Sequence, residues 1–331
     1  MLILMKYSKW FMSTVVLIVI SIAAFFVLNK GNNTYSKKYK VGIFEVVRHP
    51  VLDSMVDTFE NHLKESLSEN VEFVRLVPEG DASKTEQMAQ KFATGGYSLV
   101  FVIGTNQAQS LANKTKTIPI VLGAITDPKT AGLVKSWEKP GGNITGTSDL
   151  SPISVQLDRM AEIQPKARRI GIIYNPAEDN SGIIAERFKS ECNKRGLSCI
   201  TATISNQNEI RQTLVSLLGK IDVLYAPTDA TVQSAFPLLI GTANEMKIPV
   251  FDCDEGTVKK GAVFSVGFNY LDLGVISADM AFNILKNGKS PGEMPIRMAN
   301  NVQLFYNPNQ IAKFGFLLPE TWIKTGKRVS E

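Results

Sequence analysis

The chain is predicted to be an α/β protein of two doubly wound parallel-sheet lobes joined by a hinge, and three observations predict it. Short apolar runs of strand length alternate with amphipathic stretches of helical period, the pattern of βαβ units and parallel sheets. The alternation breaks once, at the Gly- and Pro-rich "EKPGGNITG" of 138–146, and then starts again. The halves also echo each other: "TIPIVLGAITDP" is like "KIPVFDCDEG", and "LVFVIGTNQA" is like "DVLYAPTDAT".

In order, strands are expected at 40–46 (KVGIFEV), 71–77 (VEFVRLV), 98–104 (SLVFVIG) and 118–125 (IPIVLGAI), with helices over Leu52–Ser68, Lys84–Ala93 and Asn106–Lys114. Beyond the 138–146 crossing the strands are "RIGIIYN", "LSCITATI", "DVLYAPT", "IPVFDCD" and "AVFSVGFN", with helices near 154–163, 181–195, 207–218, 230–246 and 270–286. A last strand, "VQLFYN", and a short helix from Pro308 close the chain.

Ahead of the first strand, Trp10–Leu28 runs nineteen residues without a charge, after Lys6 and Lys9. That length spans a bilayer and also suits a long signal sequence. No lipid-attachment cysteine follows, and cleavage after the small pair Ser21 and Ala23 would leave "AFFVLNKG" as an apolar new terminus, so an uncleaved anchor is favoured over a removed signal. Residues 1–30 are therefore read as signal or membrane anchor, 31–39 as a polar linker, and the rest of the chain as exported.

The 331 residues are 44% hydrophobic and 20% charged, enough for a large core, and the net charge of +5 is spread out rather than gathered in a basic face. Nucleic acid is excluded as a partner on that ground. Two histidines and three cysteines leave almost no material for a metal centre or a His-dependent nucleophile, so no cofactor and no metal are expected. Cys192 and Cys199, at a helix end and the next strand start, are close enough to pair in an oxidising compartment.

In doubly wound sheets ligands bind outside the carboxyl ends of the strands, and two facing lobes turn those edges into a cleft. Polar groups gather there: Glu45 and His49 after the first strand, Thr105, Asn106 and Gln107 after the third, and Asp127 after the fourth. In the second half the loop "NPAEDNS" brings Glu178, Asn180 and Ser181, and later strands bring Asp229 and Asp252. Each has a structural alternative as a turn former or helix cap. Taken together they suit a zwitterion, its carboxylate on helix N-termini at 105–108 and 179–182 and its ammonium on Asp229 or Glu178. No Arg stands at these strand ends, which argues against a two-pronged guanidinium clamp. Asp252 and Asp254 lack the further oxygens a cation site needs.

The stretches "HPVLD", "IGTNQAQSLANKTKTIPIVLGAITDP", "GLVKSWEKPGGNITGTSDL", "IGIIYNPAEDNS", "LYAPTDATVQSA", "IPVFDCDEGTVKKGAVFSVGFNYLDLG" and "ILKNGKSP" resemble the substrate-binding proteins of ABC transporters, and more narrowly the TrpX-like tryptophan- and tyrosine-binding group. The likeness runs over about residues 40–320; its most specific element is the "NP-x-E-x-NS" loop, and the next is "PGGN-x-TG". It implies a type I periplasmic-binding fold with crossings near 146, 268 and 300, hence a first lobe of 40–146 plus 269–300 and a second of 147–268 plus 301–325. It also implies that Thr105 and its neighbours, the Glu178–Ser181 loop and Asp229 hold an amino-acid backbone. The group commonly has Gln where this chain has Glu45, and Thr-Pro-Ala where this chain has Thr105, Asn106 and Gln107. Phe44, Tyr174, Tyr225 and Phe268 are the candidate ring partners for an aromatic ligand.

The leading function is thus an extracytoplasmic binding protein that delivers an amino acid to an ABC permease, with lobe closure as the loaded signal. A ligand-sensing ectodomain for a membrane signalling partner is the alternative from another class. A cleft acid–base enzyme is disfavoured, because the chain has no nucleophile–His pairing and no phosphate-binding Gly loop.

Overall fold

The computed structural model describes residues 38–252, 254–299 and 302–329. The Trp10–Leu28 segment lies outside them, and among the described residues no helix is long and apolar enough to cross a membrane. From Tyr39 onward the chain is one compact unit containing two sheets.

The first sheet is built from β1 (Tyr39–Phe44), β2 (Val71–Leu76), β3 (Leu99–Ile103), β4 (Ile120–Gly123) and β5 (Ile144–Gly146), in the order β2-β1-β3-β4-β5, every pair parallel. Its crossovers are α1 (Pro50–Ser66), α2 (Ala82–Thr94) and α3 (Thr105–Lys114). Alternation along each strand splits the apolar side chains between two layers. Val41, Ile43, Leu99, Phe101, Ile103 and Val121 face a cluster with Met55, Phe59 and Leu63 of α1. Phe44, Val100, Val102, Ile120 and Leu122 face the other, with Phe92 of α2 and Leu111 of α3.

The second half supplies α4 (Ile153–Ile163), β6 (Arg169–Tyr174), α5 (Asp179–Lys194), β7 (Ser198–Thr203), α6 (Ile210–Leu217), β8 (Val223–Tyr225), α7 (Ala230–Ser234), α8 (Phe236–Glu245), β9 (Val250–Asp252), α9 (Glu255–Lys259) and β10 (Phe264–Phe268). Next, α10 (Tyr270–Asn287) returns to pack on α1, where Gly274 comes so close that a Cβ would stand 2.7 Å from the Met55 carbonyl oxygen. The chain ends in β11 (Val302–Tyr306), α11 (Pro308–Lys313), α12 (Glu320–Thr325) and β12 (Lys327–Arg328). The second sheet has the order β12-β11-β10-β9-β8-β6-β7.

Three expectations are corrected. The sheets are not wholly parallel, since β10 and β11 run antiparallel. After β10 the chain leaves for α10 on the first lobe and comes back from that same side, so β11 must run the opposite way. The 138–146 stretch is not only a crossing, because Ile144–Gly146 pairs with β4 as β5. The single helix expected over 230–246 is two, α7 and α8, with Pro237 in the first turn of α8.

The crossings are tied together. Thr147 Oγ1 bonds Ser277 Oγ at 3.1 Å, Ser148 N donates to the Arg297 carbonyl at 2.8 Å, and the Tyr270 hydroxyl donates to Asp149 Oδ2 at 2.7 Å. Asp149 is buried, and that burial raises its pKa to about 6 against the opposing hydrogen bond from Tyr270.

Candidate functional site

The carboxyl ends of both sheets lead into helix N-termini that meet between the lobes. After β3, Gly104 takes φ +110°, and a side chain there would meet Gln107 Oε1 at 2.3 Å and Val46 Cβ at 2.9 Å, so the sharp entry to α3 requires glycine. No side chain caps α3, which leaves its first-turn N–H groups to whatever lies in front of them. Thr105, at the first position, is buried. After β6 the loop Asn175–Glu178 enters α5, again without a side-chain cap, and Ser181 in its first turn is wholly buried.

The two N-termini touch across the cleft. Asn106 Nδ2 donates to the Ala177 carbonyl at 3.2 Å, and Gln109 Nε2 donates to Asp179 Oδ2 at 2.8 Å. Further along α5, Arg187 donates to Asp127 Oδ2 at 2.5 Å. Burial alone would raise the Asp127 pKa, but hydrogen bonds from Thr130 and the Arg187 guanidinium hold it below the usual carboxylate range. On the other flank His49, at the start of α1, lies in the field of Asp254; burial holds the imidazole pKa down and Asp254 pulls it up. The lobes are therefore closed on one another.

Behind the α5 N-terminus stands an acidic pair. Asp229 accepts from Asn175 N at 2.7 Å and Val232 N at 2.8 Å, and takes a further hydrogen bond from Ser181. Glu178 accepts from Ala230 N at 2.7 Å, Thr231 N at 2.9 Å and Thr231 Oγ1 at 2.7 Å. The two carboxyl groups act on each other, and burial followed by the Asp229 charge raises the Glu178 pKa to about 7. Burial raises Asp229 as well, against the N–H groups of Asn175 and Val232. Asn180 Nδ2 ties the start of α5 to the loop after β8 with a 2.6 Å bond to the Thr228 carbonyl.

Of the residues singled out in the sequence, Glu178, Asn180, Ser181 and Asp229 thus form one cluster, facing Thr105 and Asn106 across the seam. Asp252 joins through Gln233, whose Nε2 donates to Asp252 Oδ2 at 2.9 Å. His49 stands on the opposite flank, and Asp127 is held in the inter-lobe contact. Gln107 turns back into the first lobe, bonding Thr85 Oγ1 at 3.3 Å. Glu45 is buried and gripped through both oxygens by Arg75, which also bonds Asp53. Among the ring candidates, Phe44 and Tyr225 are core residues, whereas Tyr174 and Phe268 are half-buried at the carboxyl ends of β6 and β10.

Arg75, Gln109, Asn175, Asp179, Arg187 and Gln233 were not reached from the sequence. Asp179 and Asn175 lie within the "NPAEDNS" loop, so proximity could have found them. Arg187 and Arg75 sit inside a helix and a strand, where nothing in the pattern marks them. A depression of about 470 Å³ lined by Asp279, Lys289, Glu293 and Arg297 lies on the first lobe along α10, away from the seam, and gathers none of the strand-end groups.

Two closing α/β lobes, with opposed helix N-termini and buried carboxylates at the seam, define a two-lobed small-molecule binding protein. The chain belongs to the ABC transporter substrate binding protein family, whose model matches residues 40–330. It is 38% identical over 287 residues to a "Tyrosine-binding protein" of Clostridioides difficile, covering 86% of this chain and 83% of that one. A solved ABC domain in complex with L-Trp from Streptococcus pneumonia superposes with a TM-score of 0.84 at 32% identity, over 88% of this chain and 100% of that one. The ligand-free, open structure of CD0873, a substrate binding protein with adhesive properties from Clostridium difficile, gives a TM-score of 0.69 at 37% identity, over 88% and 99%. The TM-score to the tryptophan complex is thus higher than that to the open form although the identity is lower. More distant solute-binding proteins share the fold alone.

Proposed function

We propose that this protein captures an amino acid with an aromatic side chain outside the cytoplasm and passes it to an ABC permease, with Trp10–Leu28 as its membrane tether. The lobes are assigned as 40–146 plus 269–300 and 147–268 plus 301–325. The observation that carries the reading is the meeting of two uncapped helix N-termini, those of α3 and α5, beside the Glu178–Asp229 pair. The first suits a carboxylate and the second an ammonium, and a free α-amino acid carries both. Thr105, Asn106 and Asn180 are assigned to the carboxylate, and Asp229 with Glu178 to the ammonium, Ser181 holding Asp229 in place. Tyr174 and Phe268 are the ring partners. What the tyrosine- and tryptophan-binding relatives take supports the aromatic class.

The test is thermal unfolding of protein stripped of ligand by unfolding and refolding, screened against the twenty L-amino acids, sugars and nucleosides. A ligand at about 100 times its Kd adds about 2.7 kcal/mol, a rise of a few degrees in Tm. A rise with tyrosine, tryptophan or phenylalanine is expected. A rise with sugars or nucleosides alone overturns the assignment.

A further inference from the structure

At the end of the second lobe away from the cleft, the last turn of α5 folds back onto edge strand β7 through a tight turn, closed by a 2.9 Å hydrogen bond from Leu197 N to the Cys192 carbonyl. Cys192 ends the buried stripe of α5 that runs Ile184, Ala185, Phe188, Cys192. On β7 alternation sends Ile200 and Ala202 to one layer and Cys199 to the other, the layer that holds the α5 stripe. Both thiols are free, and Cys199 packs against the same apolar cluster that holds Cys192.

We propose that Cys192 and Cys199 form an intramolecular disulfide when the protein meets a low-molecular-weight disulfide, stapling the end of α5 to β7. Cys199 is half-buried and Cys192 fully buried, so the reagent reaches Cys199 first. The neighbouring Cys192 thiol, and after it the Lys189 charge, lower the Cys199 pKa against burial and Glu186, which makes Cys199 the thiolate of the pair. With oxidised glutathione, the Cys199 thiolate attacks one sulfur and expels a glutathione thiolate. The Cys192 thiol gives its proton to that leaving group or to water, and its thiolate attacks the Cys199 sulfur and expels the second glutathione. Two protein thiols are oxidised and one glutathione disulfide is reduced.

The full chain carrying Cys253→Ser, which removes the third thiol, is equilibrated with glutathione mixtures, alkylated under denaturing conditions and digested with trypsin. Lys194 and Arg195 lie between the two cysteines, so the disulfide joins two separate tryptic peptides. The expected result in the oxidising mixture is that joined pair, a protein two hydrogens lighter, and loss of the pair on reduction. A glutathione adduct that persists on Cys199 without the joined peptides overturns the proposal, and so does full alkylation of both cysteines after oxidation.

Discussion

Replacing Arg187 by Ala tests whether the inter-lobe seam controls ligand affinity. The guanidinium reaches a carboxylate that is 4% exposed, but is itself 45% exposed, so solvent screens the pair. A charge-assisted hydrogen bond at such a site contributes about 1 kcal/mol, and it exists only when the lobes are closed. Asp127 keeps its bonds from Lys129 N, Thr130 N and Thr130 Oγ1, so the loop after β4 holds its shape when Arg187 is lost. The loss should therefore fall on the open–closed equilibrium rather than on folding. A ligand that binds the closed form pays the same 1 kcal/mol, which weakens its Kd about fivefold. Calorimetric titration with the amino acid found in the screen gives Kd, and small-angle scattering of the unliganded protein gives the degree of closure. An unchanged Kd together with unchanged scattering would refute the idea that this contact latches the cleft.

Ser181→Ala and Asp229→Asn should each weaken ligand binding by about ten- to a hundredfold with the far-ultraviolet dichroism unchanged, since each removes a charge-assisted hydrogen bond; full affinity in both removes the cleft assignment. Ligand affinity should fall as pH drops below 7, because the Glu178 pKa of about 7 lets protons compete with an ammonium for the pair. For one displaced proton the loss is about tenfold between pH 8 and pH 6, and a flat calorimetric profile over that range counts against the ammonium assignment. Asp149→Asn addresses the crossing. The folded pKa of Asp149 is raised from 3.8 to about 6, so its ionisation costs stability, a cost absent below about pH 4 and fully felt above pH 6. The variant should melt with the wild type near pH 4 and above it at pH 7, by up to about 3 kcal/mol; equal melting at both pH values contradicts the buried-acid account.

The fold was legible because each layer is written in the strand alternation: Val41, Ile43, Leu99 and Phe101 to one side, Phe44, Val100 and Val102 to the other. What stayed hidden was short or set by topology. Ile144–Gly146 has three residues within a Gly-rich run, too few for a period to register. The direction of β11 depends on where the chain re-enters the second lobe, which no local pattern encodes. Asp149 and Tyr270 are 121 positions apart and meet only because two crossings converge.

For the site, the sequence showed which polar types collect at the strand ends, but not which of them one another consume. Glu45 stands with the other polar groups at the strand ends, yet Arg75 near the end of β2 occupies both of its oxygens. Glu178 and Asp229 differ in kind. Among the described residues no Lys or Arg pairs with either; their partners are backbone N–H groups and hydroxyls, which carry only partial positive charge. Asp229 is wholly buried with Glu178 half-buried beside it, and both carboxyl pKa values are raised, so a proton competes with a cation for the pair. This is why the pH profile of binding separates the two roles open to the pair. A purely structural cap for α7 would leave affinity indifferent to that proton, whereas an ammonium site must expel it.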